Sequence, residues 1–376
     1  MKIAMLGTRG IPARYGGIET HLEELSSRLV LQGHQVIVYC RRPYSDCNQK
    51  FYKGVRLIHL PTIRNKYLDN IVHTFLSTLD VLKRKVDLVH FHGIGPSILV
   101  FIPRLFGIKT ILTVHSLDWR HKKWGRLARL FLKTAEFIGV RLSHTVIVVP
   151  EELKAYVEEK HGRSAEYIPN GIKTPIERKP EFLRERGLRE GNYVLTVGRI
   201  IPGKGIEYLL EAAKRFNIEM KVVVVGGSSY TEDYFQSLKK RANGNVLFLG
   251  KVYGRALEEL YSNAYLYVTA SETEGMSISL LEAMSYGRCV VASNIEANQK
   301  ILKDSGFYFY NKDPLDLAQL LKVLAQDKDL VNTFGLKARQ NLNGLYDWDK
   351  IALRTKKVYS SFGPRQEDKR LKPVLS

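Results

Sequence analysis

Residues 1–21 read M-K-I-A-M-L-G-T-R-G-I-P-A-R-Y-G-G-I-E-T-H. Lys2–Leu6 is a short apolar run closed by Gly7, the pattern of a buried strand entering a glycine turn. From Glu19 to Gln32 the apolar residues Leu22, Leu25, Leu29 and Val30 recur at helical spacing, and Gly33 ends the segment. A strand, a glycine loop and a helix in that order open an α/β unit. The chain then repeats the theme: Gln35–Cys40, Val55–Leu60, Leu88–His92, Thr110–His115 and Thr145–Val149 are β-branched or apolar runs, most of them separated by helical stretches. This alternation predicts a parallel sheet covered on both faces.

The pattern restarts after the turn Ile168-Pro169-Asn170-Gly171. A charged stretch, Lys173 to Glu190, reads as a linker and first helix. Strand-like runs follow at Tyr193–Val197, Lys221–Val225, Val246–Leu249, Leu266–Thr269 and Cys289–Ala292, with a helix at Ile206 to Phe216. The expected organisation is a first doubly wound domain over 1–170, a second over 171–346, a last helix within 347–362 and a mobile polar tail over 363–376. Two such domains make a cleft. Ligands of open α/β sheets bind at the carboxyl ends of the strands, so the loops after Leu6, His92, Thr113, Val197, Val225, Leu249 and Thr269 are expected to face it.

Composition narrows the class. The chain has 376 residues, 44% of them apolar, which excludes a disordered protein. Its three cysteines, Cys40, Cys47 and Cys289, are scattered and carry neither disulfide nor zinc spacing, which fits a reduced compartment. No signal peptide and no bilayer-spanning run is apparent, so a cytoplasmic protein, soluble or peripheral on a membrane, is expected. Lys plus Arg number 58 against 38 Asp plus Glu, and residues 1–150 hold 23 of the basic and only 9 of the acidic ones. A basic first half suggests an anionic partner: nucleic acid, a membrane surface or a phosphate-bearing substrate.

Three loops carry chemistry. Gly7, Gly10, Gly16 and Gly17 let backbone approach a phosphate or sugar ahead of a helix N-terminus, with Arg9 and Arg14 nearby. The spacing is neither a dinucleotide fingerprint nor a Walker loop. The loop after Val197, G-R-I-I-P-G-K-G, offers Arg199 and Lys204, two cations able to neutralise a diphosphate leaving group. The third, A-S-E-T-E-G-M-S-I-S-L-L-E-A-M-S-Y-G over 270–287, places Glu274 in a loop and Glu282 in the helix after it. Apolar neighbours Leu280, Leu281, Ala283 and Met284 bury Glu282 in part, and ribose or sugar hydroxyls would supply the partners it needs. Gly275, Met276 and Ser277 offer backbone N–H groups at the helix start.

E-G-M-S-I-S-L-L-E resembles the Glu-x7-Glu motif of family 4 retaining glycosyltransferases, and V-G-R-I-I-P-G-K-G resembles their diphosphate loop. G-T-R-G-I-P-A-R-Y-G-G-I-E-T-H looks like the opening of a bacterial branch that includes rhamnosyltransferases of surface polysaccharide synthesis; V-D-L-V-H-F-H-G, T-V-H-S-L-D-W and I-P-N-G-I fit the general pattern. The resemblance spans about residues 1 to 360. It implies the GT-B fold, two Rossmann-like domains facing a cleft, with the C-terminal helix crossing back onto the first. It implies that Glu274 holds donor-sugar hydroxyls, Glu282 the ribose, and Arg199 and Lys204 the diphosphate. Gly16 and Gly17 would line the phosphate and acceptor side, the backbone near Val252 would meet the base, and His115 would stand near the reacting centre. In that branch an aspartate often occupies the position of His115 and a glutamate that of Asp118, so the roles of these two residues stay open. Transfer with retention and without a metal or other cofactor is implied.

The partners expected are a nucleotide-sugar donor, UDP- or dTDP-linked, and a glycan acceptor, with polyprenyl phosphate as a natural carrier. Trp119 to Lys133 interleaves Arg120, Lys122, Lys123, Arg126, Arg129 and Lys133 with Trp119, Trp124, Leu127, Leu130, Phe131 and Leu132, a basic amphipathic stretch suited to an anionic membrane surface or to an ordinary packed helix. No nucleic-acid motif accompanies the charge. His90 and His92 share one face of a strand and are expected to serve structural or polar-network roles. Two other classes fit parts of the pattern: an epimerase or phosphorylase of the same fold, and a basic membrane- or nucleic-acid-binding protein without catalysis.

Overall fold

The structure is a computed structural model that describes residues 1–363 apart from 15, 66, 121–123, 216–219 and 229–230. The first half forms an eight-stranded sheet from β1 (Lys2–Leu6), β2 (Gln35–Arg41), β3 (Phe51–Tyr52), β4 (Val55–Leu60), β5 (Leu88–His92), β6 (Lys109–Val114), β7 (Thr145–Val148) and β8 (Glu166–Tyr167). Its order is β3-β4-β2-β1-β5-β6-β7-β8. Every pairing is parallel except the β3–β4 hairpin, whose tight Lys53-Gly54 turn needs positive φ at both positions. The second half forms a six-stranded parallel sheet from β9 (Tyr193–Val197), β10 (Lys221–Val225), β11 (Val246–Gly250), β12 (Leu266–Thr269), β13 (Cys289–Ser293) and β14 (Phe307–Phe309), in the order β11-β10-β9-β12-β13-β14.

The long apolar runs thus form the strands expected of them. The short edge strands β3, β8 and β14 are not apparent in the sequence, because two or three residues carry no periodicity. Lys173 to Glu190 is mostly extended chain, with only the short helix Phe182–Glu185; its alternating charges stay in solvent and just Leu183 and Leu188 are buried. The helix Ile206–Arg215 is described to Arg215, and Phe216 lies outside the described residues. The tail from 364 onward does too.

Apolar cores fill both faces of each sheet. In the first, Leu22, Leu25 and Leu29 of the helix Gly17–Leu31 pack on Ile3, Met5, Val36 and Val38. The last helix among the described residues, Trp348–Ser360, joins this core through Trp348, Ile351, Ala352 and Tyr359, so a segment beyond the second half completes the first sheet's covering. Each fully buried large apolar side chain of this kind contributes roughly 1.5–3 kcal/mol. Polar ties add direction: Arg28 Nε meets Asp349 Oδ1 at 2.6 Å, and the Tyr359 hydroxyl meets His90 Nδ1 at 2.6 Å. Trp348 lies so close to Gly171 that a Cβ there would stand 2.5 Å from the indole ring. No helix among the described residues is long and apolar enough to cross a membrane.

Candidate active site

Between the two sheets lies a cleft of about 900 Å³, a volume in the range of small-molecule and cofactor sites. Loops after β1, β6, β9, β10, β11 and β12 contribute to its walls, as the strand-end rule requires. The loop after β5 is the exception. Gly7 sits on it, and a Cβ at Gly7 would lie 2.6 Å from the His92 carbonyl oxygen and 2.9 Å from Pro96 Cγ, so the glycine loop covers this strand end. With φ at +101°, Gly7 also occupies a conformation that a side chain would disfavour.

The cleft brings together His115, Arg199, Lys204, Glu274, Gly16, Gly17, Val252, Gly275, Met276, Ser277 and Glu282 from distant parts of the chain. Asp118 does not line it. Its carboxylate instead accepts a hydrogen bond from Ser116 Oγ at 2.9 Å, and Ser116 is the residue at the wall. Asp118 opens a short 3-10 turn, Asp118–Arg120, which points its side chain back into its own loop. Asp118 thus stands one residue's width behind the wall, in support of Ser116.

The second-half wall is charged and locally built. Glu274 pairs with Lys204 and accepts from Ser271 Oγ at 2.6 Å. Burial alone would raise its carboxyl; the Lys204 ammonium outweighs that, with Ser271 and Arg199 adding to it, and the group is held below its ordinary range. The helix Ile278–Ser285 follows, with Ser277 Oγ capping it by accepting from the Leu280 N–H at 3.3 Å. Glu282 sits in this helix, half-buried, and accepts from the Tyr261 hydroxyl at 3.0 Å. Burial pushes its carboxyl up to about 7, only partly offset by Tyr261 and Lys173. The two carboxylates are thus driven apart in acidity, one ionised firmly and one poised near neutrality.

Gly275 brings this wall against the first half: a Cβ there would meet the His115 carbonyl oxygen at 2.4 Å. Opposite, a Cβ at Gly16 would stand 3.6 Å from Arg199 Nε, and one at Gly17 would stand 3.3 Å from Ile278 Cδ1. The Tyr253 hydroxyl donates to the Arg14 carbonyl across the same gap. Glycines are required here for close approach between halves as much as for any ligand.

The first-half wall is different in kind. His115 is buried, and with His21, His90 and His92 it forms a cluster of imidazoles. Burial lowers them all: His21 to about 4, His90 to about 3, and His92 and His115 well below the usual histidine range. These rings are neutral at physiological pH. Further along, Arg41 and Asp69 make a buried ion pair at 2.8 Å, with Asn70 accepting from Arg41 at 2.7 Å; all three reach the cleft.

Sequence reasoning missed Asn170 as a working residue. It lies in the Ile-Pro-Asn-Gly turn, and its side chain joins His21 Nδ1 at 2.9 Å to the Met276 carbonyl at 3.3 Å, bridging the two walls. Arg41, Asp69 and Asn70 were missed as well. A polar residue at the end of a buried strand, Arg41 after Cys40, was the available signal. The basic stretch is divided: Arg120 and Trp124 face the cleft, Lys122 and Lys123 lie outside the described residues, and the helix begins only at Arg126. That helix, Arg126–Leu142, exposes Leu127, Leu130, Phe131 and Phe137 together with Arg126, Arg129, Lys133 and Arg141.

Comparison with known proteins places this architecture. A family model described as "Glycosyltransferase Family 4" matches residues 15–175, and one described as "Glycosyl transferases group 1" matches residues 179–341. An uncharacterized glycosyltransferase of Methanocaldococcus jannaschii is 28% identical, over 96% of this chain and 98% of its own. The alpha-maltose-1-phosphate synthase of Mycolicibacterium smegmatis is 25% identical, over 96% and 99%. Among solved structures, Anabaena HepE in complex with UDP and glucose superposes with a TM-score of 0.81 at 17% identity, covering 96% of this chain and all (100%) of that one. Two matched halves, a shared two-sheet architecture and full-length relatives lead to one statement: the chain is a glycosyltransferase of the GT-B fold, with a family 4 first half and a group 1 second half.

Proposed function

We propose that the chain moves a sugar from a nucleoside-diphosphate sugar to a hydroxyl of a glycan acceptor, with retention of anomeric configuration, in the synthesis of a bacterial surface polysaccharide of the kind made by rhamnosyltransferases. The observation that carries this reading is the Lys204–Glu274 pair beside Arg199 at the start of the helix Ile278–Ser285. A carboxylate held ionised is a good acceptor for sugar hydroxyls. Two fixed cations stand where a departing diphosphate gains charge. Glu282, next along the helix, takes the ribose hydroxyls, and the backbone at Val252 borders the base.

In the step proposed, the acceptor oxygen bonds to the anomeric carbon on the face from which the diphosphate leaves. The bond from that carbon to the phosphate oxygen breaks, and the acceptor proton passes to the departing phosphate. The products are a glycoside and a nucleoside diphosphate. Arg199 and Lys204 supply the positive charge that a metal would otherwise bring, so this step needs none. A UDP-linked donor is favoured by likeness to a fold neighbour crystallised with UDP. His115 borders the reacting region as a neutral ring, suited to hydrogen bonding with a sugar hydroxyl.

The acceptor side belongs to the basic first half. The exposed apolar and cationic residues of the helix Arg126–Leu142 suit an anionic membrane surface on the cytoplasmic side, where a polyprenyl-phosphate-linked acceptor resides. The deciding experiment is thermal stabilisation of the protein by a panel of nucleotide sugars, repeated with Glu274→Ala. Stabilisation by one donor, lost in the variant and accompanied by glycan product, is the expected result. Donor consumption without a glycan product would move the chain to an epimerase or phosphorylase role, and a covalent sugar adduct on a side chain would overturn the front-face route.

A further inference from the structure

We propose that His21, His92 and His115 form a site for one borderline divalent transition-metal ion, zinc above all, at the floor of the first-half wall. The three residues come from the helix Gly17–Leu31, from β5 and from the loop after β6, and one ring nitrogen of each lies within 4.8 Å of the others. All are buried; His115 alone reaches the cleft.

The contrast with the fourth histidine decides the reading. His90 has both nitrogens engaged, by the Tyr359 hydroxyl at 2.6 Å and by Thr113 Oγ1 at 2.7 Å, the condition of a structural core histidine. His92, two residues on and on the same strand face, has neither nitrogen held in that way. Its Nε2 is buried with no hydrogen-bond partner among the described residues, and its Nδ1 meets only His115 Nε2 at 3.4 Å, beyond the usual hydrogen-bond distance. The nitrogen that faces His115 Nε2 at 3.4 Å stands at about the spacing of two ligands on one zinc ion, and an ion between the rings would engage it.

His21 is set up as a ligand by its neighbour. Asn170 donates through Nδ2 to the Met276 carbonyl, which leaves its Oδ1 to accept from His21 Nδ1 at 2.9 Å. That fixes the proton on Nδ1 and leaves Nε2 with a bare lone pair, the arrangement in which metal-bound histidines are held by an outer carbonyl. Neutral imidazoles suit zinc, cobalt, nickel and copper; magnesium and calcium prefer oxygen. Nitrogen–zinc bonds of about 2.0–2.1 Å put ligand nitrogens about 3.3 Å apart, so a set spanning 4.8 Å closes by about 1.5 Å at its widest. His115 is the ligand that borders the cleft. Three nitrogens leave a fourth coordination position open. The three ligands all belong to the first half, and the transfer step proposed above is written without the ion.

The test uses full-length, tag-free protein stripped with a chelator. Cobalt titration should give the visible spectrum of a low-coordinate nitrogen site at one ion per chain, displaced by zinc and not by magnesium. His21→Ala and His92→Ala should each lower zinc affinity by at least tenfold, Asn170→Ala by about tenfold as an outer-shell change, and His144→Ala not at all. Zinc should raise the melting temperature of the wild type, a readout independent of whether a variant folds. A wild type that takes up no stoichiometric cobalt and is not stabilised by zinc would falsify the site; so would undiminished binding in a folded His92→Ala variant, which would assign the ion to other histidines.

Discussion

The two walls of the cleft are built on opposite principles. The second-half wall keeps its charge on display: Lys204, Arg199 and Glu274 within two loops, and a capped helix start between Glu274 and Glu282. The first-half wall buries four neutral imidazoles and the internally compensated pair Arg41–Asp69, while Arg9, Arg14 and Arg120 line the cleft from the same half. A diphosphate that must leave with added charge needs fixed charges of its own. An acceptor hydroxyl that must remain uncharged until it attacks is better served by neutral hydrogen-bonding groups. The carboxylate–cation pair Glu274–Lys204 therefore marks the leaving-group side, and the buried imidazole cluster marks the incoming side.

The strongest way to break this contrast is Glu274→Ala. It removes the carboxylate and leaves the Lys204 ammonium without its partner, and transfer should fall by roughly 10²–10³-fold, as for loss of one preorganised charge-stabilising group. Steady-state kinetics against the donor give the answer, and activity within about threefold of wild type would remove Glu274 from the donor site. Gly275→Val comes next. The added side chain strikes the His115 carbonyl and wedges the walls apart. A displacement of about 1 Å at the reacting centre costs on the order of 10²-fold, while the chain should still melt cooperatively.

Glu282 offers a finer probe, through pH. Its carboxyl is raised from 4.5 to about 7 by burial, so the folded protein binds more protons than the unfolded chain between those values. Its contribution to stability is full below about 4.5 and is lost as pH rises through about 7. Glu282→Gln, which stays neutral, should therefore melt progressively higher relative to wild type between about pH 5 and pH 8. A constant difference across that range would show that the group titrates elsewhere. Donor affinity in this variant should weaken by about tenfold, the worth of one or two hydrogen bonds to hydroxyls.

The smallest effect expected on the chemistry itself belongs to the helix Arg126–Leu142. Leu127→Glu with Leu130→Glu should reduce flotation with vesicles containing anionic lipid while changing turnover of a water-soluble acceptor less than about twofold. Equal flotation of variant and wild type would assign that face to another role.

The same asymmetry governs what the sequence alone makes legible. Glu274, Glu282, Arg199 and Lys204 lie within short segments whose spacing is fixed by one loop or one helix, so the chain order already contains their geometry. The donor wall and both sheets are legible for that reason, since apolar runs report parallel strands directly. His21, His92, His115 and Asn170 are far apart in sequence, and only strand order brings them together. His92 looks like any strand histidine because nothing local distinguishes it from His90; the difference is the tyrosine that the last helix supplies to one and not the other. Asp118 departs from expectation because a three-residue 3-10 turn redirects a side chain without leaving a pattern.

That last helix has a consequence for how the protein is made. Trp348, Ile351 and Tyr359 cover a face of the first sheet whose own strands begin at Lys2. On a ribosome, β1 and β2 emerge before the whole second sheet and wait for the helix that follows it before that face is sealed. Meanwhile the second sheet can close on its own residues. A first half expressed alone would carry an open apolar face and tend to associate, whereas a polypeptide of the first half should be rescued by supplying residues 171–363 as a separate chain. The helix Trp348–Ser360 is thus the point at which the core of the first domain is closed.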